Sequence, residues 1–218
     1  MSIATVTGGR LVPVAGFFIS FEGGEGVGKS TQIARLATTL RAEGRDVVVT
    51  REPGGTDLGA AVRRILLTPG NHVTARAEAL LYAADRAHHV ETVIEPALAA
   101  GKVVICDRYA DSTFAYQGAG RALESGDVRR IMEFAVADRW PDLTLLLDVD
   151  PRIGLQRARG GGDGDRIEAE GLDFHDAVRR GFLELAEASP QRFAVIDASG
   201  TLDEVTAQIL RVLGERLQ

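Results

Sequence analysis

The feature that most constrains the fold is a glycine-rich loop, FEGGEGVGKSTQ at residues 21–32, which follows the apolar run Gly16–Ser20. The spacing Gly23-x-x-x-x-Gly28-Lys29-Ser30 is that of a P-loop. Glycines let backbone N–H groups turn toward phosphates, and the N-terminus of the following helix adds partial positive charge. The alternative is a turn that only starts a helix, but the apolar run before the loop and the helical pattern after it favour a nucleotide site.

The P-loop pattern assigns chemistry to its residues. The lysine reaches the outer phosphates of a nucleotide, and the serine hydroxyl is a ligand of Mg²⁺. The residues predicted to bind the nucleotide are Gly23, Gly24, Glu25, Gly26, Val27, Gly28, Lys29, Ser30 and Thr31.

Five short apolar runs predict the strands of a sheet. They are FFISF at 17–21, VVV at 47–49, VVI at 103–105, LTLLL at 143–147 and FAVI at 193–196. Runs this short and continuous are typical of strands covered on both faces, and helix-length segments lie between them. This alternation predicts an α/β fold with a parallel sheet of about five strands flanked by helices. We expect residues 1–15 to be a poorly ordered extension and residues 16–218 to form one domain.

Charge and cysteine content exclude several classes of protein. The 218 residues carry a net charge of −6, which argues against a surface that coats nucleic acid. The single cysteine, Cys106, excludes an internal disulfide framework or a cysteine-based metal site and suits a reducing cytoplasm. No segment reaches the ~18 apolar residues of a membrane span. We therefore expect a cytoplasmic protein with no membrane or nucleic-acid partner.

A P-loop alone does not distinguish a kinase from an NTP-driven switch. The distinction depends on residues that could bind a phosphoryl acceptor. Three further motifs are TREPGGT at 50–56, LLYAADR at 80–86 and CDRYADSTFAYQG at 106–118. Ligands of open parallel sheets bind at the carboxyl ends of strands, so we expect these motifs to converge on the P-loop. Tyr82 and Arg86 are four residues apart and therefore share a helix face.

With these motifs in this order and spacing, the chain from about Gly16 to its C-terminus resembles the thymidylate kinases, of the bacterial type with lid arginines. RWPDLTLLLDVD at 139–150 and DRIE at 165–168 also fit this family. The resemblance implies phosphorylation of dTMP to dTDP by ATP in dTTP synthesis, with Mg²⁺ as cofactor. It also implies a three-layer P-loop NTPase fold, a mobile lid at about 157–168, and a homodimer. Helices near 57–67 and 80–93 have enough apolar residues to contact a second subunit.

On the phosphate side, the resemblance implies that Lys29 and the loop amides hold ATP. Ser30 and, through water, Asp107 would hold Mg²⁺. Arg108 would contact the acceptor phosphate, and Lys29 and Arg108 would be catalytic because they supply fixed positive charge. The alternative for Asp107 is a helix N-cap or an ion pair with Arg108.

The loop after the second predicted strand would border the acceptor phosphate. Arg51 would grip the monophosphate, and Glu52 would orient Arg108 or a metal-bound water. The alternative is that Arg51 and Glu52 form a surface ion pair.

The resemblance also implies which residues read the base. Tyr82 would stack on thymine, Arg86 would donate to a thymine carbonyl, and Thr113 would read the pyrimidine edge. Without the resemblance, Tyr82 would be interpreted as a packing residue. His88 and His89 on the same helix are interpreted as surface or packing residues.

Three residues would surround the sugar. Tyr116 and Gln117 would line the sugar and base, and the Tyr116 ring would exclude a ribose 2′-hydroxyl. Glu25 would accept a hydrogen bond from the sugar 3′-hydroxyl, facing away from the phosphate-binding amides.

The lid would supply the remaining positive charge, because residues 24–27 of the P-loop contain no arginine. Arg157, Arg159 and Arg166 fit this role, and the glycines between them would allow the lid to close. The alternative is a solvated basic loop. Relatives often have a further arginine where Gly160–Gly162 stand, so the resemblance does not decide which lid arginine is catalytic. The hypothesis is that Arg166 or Arg159 stabilises the transferring phosphoryl group.

Two other functions compete with this interpretation. One is phosphorylation of a different nucleotide or deoxynucleoside, which a panel of acceptors would reveal. The other is a P-loop ATPase or switch, which would release ADP without dTMP and gain nothing from its addition.

Overall fold

The structure, a computed structural model, describes residues 5–7, 10–12, 16–159 and 165–216. The described residues contain the strands β1 (Thr5–Thr7), β2 (Arg10–Val12), β3 (Phe17–Glu22), β4 (Val47–Arg51), β5 (Val103–Asp107), β6 (Leu143–Asp148) and β7 (Phe193–Asp197). Strands β3 to β7 form one parallel sheet with the order β4-β5-β3-β6-β7. The five predicted strands and the parallel sheet are confirmed.

The N-terminal segment contains a small strand pair. Strand β1 pairs antiparallel with β2, and the two form a sheet of their own. Residues 1–15 were predicted to be a poorly ordered extension, and apart from these two strands they lie outside the described residues.

Helices flank the sheet on both faces, as expected for three layers. They are α1 (Lys29–Ala42), α2 (Asp57–Leu67), α3 (Ala75–His89), α4 (Glu95–Ala99), α5 (Ala110–Thr113), α6 (Ser125–Val136), α7 (Pro151–Arg159), α8 (Leu172–Ala188) and α9 (Leu202–Arg216). π-Helical segments join α3 to α4 at Val90–Ile94 and extend α5 at Phe114–Gly120. Among the described residues, no helix has the length and apolar character needed to cross a lipid bilayer.

The core is divided by the alternation of side chains along the strands. Ile19 and Phe21 of β3 face α1 and α9, and pack against Leu36 and Ile209 of those helices. Phe18, which directly precedes Ile19, faces the opposite layer, which contains α4 and α6. A third cluster lies under α8. The buried faces of α1 and α9 are therefore the faces that cover the sheet.

The two outer strands differ from the prediction that every strand is covered on both faces. Val49 of β4 is 44% exposed and Val195 of β7 is 50% exposed. Both strands lie at sheet edges, where the described helices cover the sheet incompletely. The continuous apolar pattern indicates burial correctly for β3, β5 and β6, in the centre.

The strand order brings the three predicted motifs to one edge of the sheet. Strand β5 lies between β3 and β4, and Asp107 at its end pairs in register with Phe21 and with Arg51. The P-loop follows β3, the Arg51–Thr56 segment follows β4, and Arg108 follows β5. All three therefore begin at the same level of the sheet.

Candidate active site

One cavity of about 630 Å³ opens at this edge of the sheet. The predicted site residues that line it are Glu25, Gly26, Val27, Gly28, Lys29, Ser30, Thr31, Arg51, Glu52, Tyr82, Arg86, Asp107, Arg108, Thr113, Tyr116 and Gln117. Of the other predicted residues of the loop, Gly23 and Gly24 contribute backbone carbonyls to the Lys29 ammonium. The convergence of the three motifs on the P-loop is confirmed.

The P-loop has the backbone that its glycines predict. Gly23, Gly26 and Gly28 have φ angles of 132°, 65° and 93°, which side-chain-bearing residues rarely adopt. Lys29 then begins α1, and its Nζ donates to the carbonyls of Gly23 (3.2 Å) and Gly24 (2.8 Å). Burial and the neighbouring Arg108 lower the pKa of Lys29. The carbonyls of the P-loop therefore hold the Lys29 ammonium group within the loop.

Arg108 spans the middle of the cavity. Its Nη1 donates to the Gly23 carbonyl at 2.8 Å and its Nη2 to Glu25 Oε1 at 2.6 Å. The guanidinium lies 4.9 Å from the Tyr116 ring centroid, and the Tyr116 hydroxyl donates to the same Glu25 oxygen at 2.8 Å. Burial would raise the pKa of Glu25, but Arg108 and Lys29 lower it to about 2. Glu25 therefore stays ionised and neutralises Arg108.

Helix α3 builds the part of the cavity where the sequence predicts the base. Arg86 is buried; its Nε donates to Glu52 Oε2 at 2.7 Å and its Nη1 to Thr113 Oγ1 at 2.9 Å. Tyr82 lies one turn before Arg86 on the same face, and burial raises its pKa. Arg86 and Thr113, both predicted to read the pyrimidine, are thus joined by a hydrogen bond.

Glu52 does not have the predicted partner. It was expected to orient Arg108 or a metal-bound water, but it pairs with Arg86, and His89 Nδ1 lies 2.8 Å from its other oxygen. Arg51 is exposed and lines the cavity, and the described residues show no ion pair between Arg51 and Glu52. Both partners of the Glu52 carboxylate therefore belong to α3.

His89 is the site residue that the sequence interpretation missed. His88 is exposed, but His89 is completely buried and contacts Glu52. A signal was available, because Tyr82, Arg86 and His89 have the spacing i, i+4, i+7 of one helix face. The interpretation as a surface or packing residue fits the burial of His89 but did not include its contact with Glu52.

The lid arginines are engaged with protein groups. Arg166 donates to the Leu66 carbonyl at 2.6 Å and forms an ion pair with buried Glu78, which also accepts from Gln117 at 2.7 Å. Arg157 lines the cavity, and its Nη1 donates to the Ala198 carbonyl at 2.9 Å. The side chain of Arg159 and the predicted glycine hinge at 160–164 lie outside the described residues. The choice between Arg159 and Arg166 stays a prediction.

Helix α7, which carries two of these arginines, packs directly on the P-loop. A Cβ added to Gly26 would lie 1.9 Å from the Gly154 carbonyl oxygen. A Cβ added to Gly154 would lie 2.3 Å from the Glu25 carbonyl oxygen. A side chain at either glycine would prevent this close approach. The backbone of the P-loop is therefore in contact with the backbone of α7.

Asp107 and Ser30 fit the predicted magnesium site. Asp107 lines the cavity, and its Oδ1 is buried with no hydrogen-bond partner among the described residues. The alternative ion pair with Arg108 is not found within those residues, since Arg108 pairs with Glu25. Carboxylate and hydroxyl oxygens are the ligands that Mg²⁺ prefers, so a free carboxylate beside the P-loop suits a water-bridged ion.

Comparison with known proteins points to one family. A sequence model of the family described as "Thymidylate kinase" matches residues 21–209. Thymidylate kinase of Clavibacter michiganensis subsp. michiganensis is 54% identical over 199 residues, covering 90% of this chain and 93% of the relative. That of Deinococcus radiodurans is 52% identical over 201 residues, covering 92% and 98%. The crystal structure of thymidylate kinase from Ehrlichia chaffeensis superposes with a TM-score of 0.77 at 33% identity, covering 91% of this chain and 99% of that one.

Proposed function

The chain belongs to the thymidylate kinase family, and we propose that it transfers the γ-phosphoryl group of ATP to dTMP, giving dTDP and ADP. The observation that carries this proposal is the single cavity that joins Lys29 to Arg108 and Tyr82. A donor and an acceptor nucleotide bound there have their phosphates close enough for direct transfer. The product is a precursor of dTTP.

The P-loop serves the donor. Its amides and Lys29 hold the ATP phosphates, and Ser30 and Asp107 hold Mg²⁺, Asp107 through water. When bound, the metal ion neutralises charge on the phosphates. Lys29 is oriented for this role by the Gly23 and Gly24 carbonyls, and its depressed pKa reflects how far the site already excludes water.

Arg108 and Arg51 serve the acceptor phosphate. In the transfer, a dTMP phosphate oxygen forms a bond to the γ-phosphorus while the bond to the β–γ bridging oxygen breaks, and ADP leaves with that electron pair. The attacking oxygen is already ionised, so no general base is needed. Arg108 offers a planar fork that suits phosphate, and Glu25 holds the fork in place before dTMP arrives.

The nucleoside of dTMP lies toward α3. Tyr82 stacks on thymine, Arg86 donates to a thymine carbonyl, and Thr113 and Gln117 face the base edge. Glu25 accepts from the 3′-hydroxyl while the Tyr116 ring fills the space of a 2′-hydroxyl. The support for these roles is that all these side chains line the same cavity.

A second copy of the chain is the proposed partner. Helices α2, α3 and α6 present large apolar side chains to solvent: Leu58 and Ile65 (42% and 47% exposed), Leu80 (50%) and Phe134 (86%). Helix α3 contacts both α2 and α6, so these side chains belong to one layer of the molecule. A homodimer that covers this layer accounts for them. The single cysteine and the nucleotide substrates favour the cytoplasm as its location.

A coupled ADP-release assay tests the proposed activity. ATP-Mg²⁺ is supplied with dTMP, dUMP, UMP, CMP, AMP or GMP, or with no acceptor. The expected result is ADP release that depends on dTMP and is abolished in Lys29→Ala. Release without an acceptor, unchanged by dTMP, would identify an ATPase or switch, and a preference for another acceptor would identify a different nucleotide kinase.

A further inference from the structure

His89 lies in a buried chain of hydrogen-bonded groups that ends at the cavity. Its Nε2 is 2.7 Å from Thr50 Oγ1, and its Nδ1 is 2.8 Å from Glu52 Oε1. Glu52 Oε2 then accepts from Arg86 Nε at 2.7 Å. The chain thus runs from strand β4 through the helix to the guanidinium that lines the base side. His89, Glu52 and Arg86 are each at most 2% exposed.

The partners of His89 select one tautomer. Glu52 forms an ion pair with Arg86, and a carboxylate only accepts hydrogen bonds. Of the two neutral forms of His89, only the one with its proton on Nδ1 donates to Glu52, and Nε2 then accepts from the Thr50 hydroxyl. This assignment gives both nitrogens of the imidazole and both oxygens of Glu52 a partner, which buried polar groups require.

The surrounding backbone leaves space for this contact. A Cβ added to Gly55 would lie 2.5 Å from both His89 Nε2 and Thr50 Oγ1. Gly55 has no left-handed φ angle among the backbone angles of the described residues, so the close approach accounts for the glycine. The loop after β4 is thus shaped around the imidazole.

Arg86 has one terminal nitrogen left for a ligand. Nε is bound by Glu52 and Nη1 by Thr113, and Nη2 has no hydrogen-bond partner among the described residues. A guanidinium fixed at two of its three nitrogens can aim the third without losing further side-chain freedom on binding. The orientation of Nη2 is set by Glu52, and Glu52 is held by His89.

We propose that His89 is a positioning residue for the acceptor base: through Glu52 it fixes the guanidinium of Arg86 that faces the nucleobase of dTMP. This inference rests on the proposed function, in which Arg86 donates to thymine. His89 itself contacts no substrate. Loss of His89 would leave one Glu52 oxygen without its partner. The carboxylate, and Arg86 with it, would then no longer be held in the position that faces the base.

A metal site is the competing interpretation of the same residues. Ligand atoms of Glu52, His89 and Cys106 lie within 4.8 Å of one another. Each already has a hydrogen-bond partner, Cys106 through its Sγ to the Arg108 carbonyl at 3.0 Å. Burial raises the pKa of the Cys106 thiol, which disfavours the thiolate that a metal needs. Hydrogen bonding therefore accounts for the cluster.

Two substitutions of His89 separate positioning from packing. His89→Leu fills the space but removes the donor, and His89→Asn places its amide N–H near the position of Nδ1. We expect His89→Leu to raise the dissociation constant and KM for dTMP about tenfold, equivalent to ~1.4 kcal/mol, with the dissociation constant for ATP unchanged. We expect His89→Asn to stay within about threefold of the wild type for dTMP. His88→Leu, at the exposed neighbour, is the control and leaves both constants unchanged.

A spectroscopic measurement tests the hydrogen-bonded chain without turnover. Long-range ¹H–¹⁵N correlation of the histidine side chains is expected to show a proton on Nδ1 of His89. Thr50→Val removes the partner of Nε2 and is expected to leave the proton on Nδ1, because the Glu52 carboxylate still accepts its hydrogen bond. It also serves as the second variant if His89→Leu does not fold.

Either of two results on His89 itself overturns the positioning role. One is an Nε2–H tautomer in the wild type; the other is a folded His89→Leu that binds dTMP as the wild type does. Zn²⁺ binding that His89→Leu and Cys106→Ala both abolish would also overturn it, in favour of a metal site. Failure of the proposed function looks different: the wild type would bind dTMP in calorimetry, with the His89 effect intact, but would form no dTDP.

Discussion

At the scale of single residues, the carboxylate inside the P-loop is the most informative. Glu25 stands among groups that bind phosphate, yet it is ionised and accepts from both Arg108 and Tyr116. Its negative charge keeps Arg108 in the cavity and leaves a lone pair for a sugar hydroxyl. In the proposed function, one side chain thus links the acceptor phosphate site to the sugar site.

Glu25→Gln is expected to lower kcat/KM for dTMP about tenfold, or ~1.4 kcal/mol, because it weakens the bonds to Arg108 and to the 3′-hydroxyl. The sharper test compares dTMP with its 3′-deoxy analogue in both proteins. The wild type should prefer dTMP, and the variant should treat the two alike. An undiminished preference in Glu25→Gln would assign the 3′-hydroxyl to another residue.

Glu22 gives a prediction about pH and stability. It is completely buried at the end of β3, and burial and the nearby Asp111 raise its pKa from 4.5 to about 8. The folded state therefore binds a proton that the unfolded state releases between these values. The stability that this proton provides is present below pH ~4.5 and is lost as the pH rises to about 8, by roughly 1 kcal/mol per pH unit.

Glu22→Gln is expected to remove that part of the pH dependence. Urea unfolding of both proteins between pH 5 and pH 9 measures this dependence. The free energy of unfolding of the variant should rise relative to that of the wild type as the pH rises. Glu43→Gln, at an exposed glutamate on the C-terminal side of α1, is the control and should follow the wild type. Parallel curves for Glu22→Gln and the wild type would show that Glu22 is ionised throughout.

At the scale of secondary-structure elements, the contact of α7 with the P-loop makes the clearest prediction. In Gly154→Ala, the new methyl group would meet a backbone oxygen, which cannot move as a side-chain tip can. We expect the free energy of unfolding to fall by about 1–3 kcal/mol and the KM for ATP to rise. Gly214→Ala in α9 meets nothing within 4 Å and should instead stabilise the helix by about 0.5–1 kcal/mol. Equal stability of the two variants would contradict the packing described.

The lid arginines belong to the same scale. Arg166 is held by Glu78, so it must leave that ion pair before it can reach a phosphate. If Arg159 or Arg166 stabilises the moving phosphoryl group, replacing both by alanine should lower kcat well beyond twofold. A kcat that stays within about twofold, less than ~0.5 kcal/mol of barrier, would exclude both, and Arg157 would be the next residue to replace.

Elements and site residues were predictable to different degrees. The apolar runs at 17–21, 103–105 and 143–147 predict central strands because a buried strand needs apolar side chains on both faces. The same pattern fails at Val49 and Val195, since a sequence does not show which strands lie at the edges. Lys29 was predictable because its motif is contiguous. The partners of Glu52 were not, because Arg86 and His89 reach it from a helix more than thirty residues away.

At the scale of the whole molecule, the exposed apolar side chains of α2, α3 and α6 make a prediction about assembly. Light scattering of the wild type should give about twice the chain mass of 23.3 kDa. Ile65→Glu places a charge in the proposed interface and should give the monomer mass. Leu202→Glu, at a similarly exposed leucine at the start of α9, is the control and should remain dimeric. If the wild type has the mass of one chain, the homodimer is contradicted, and a different partner would have to cover the exposed apolar side chains.

The central claim is that one cavity holds both nucleotides with their phosphates facing each other. It is tested most directly by calorimetric binding of a ligand that joins thymidine and adenosine through a chain of phosphates. The structure predicts that one such molecule binds per chain and that bound ligand excludes both ATP and dTMP. A ligand that displaces ATP while dTMP still binds with its usual affinity would place the two nucleotides in separate sites and contradict the claim.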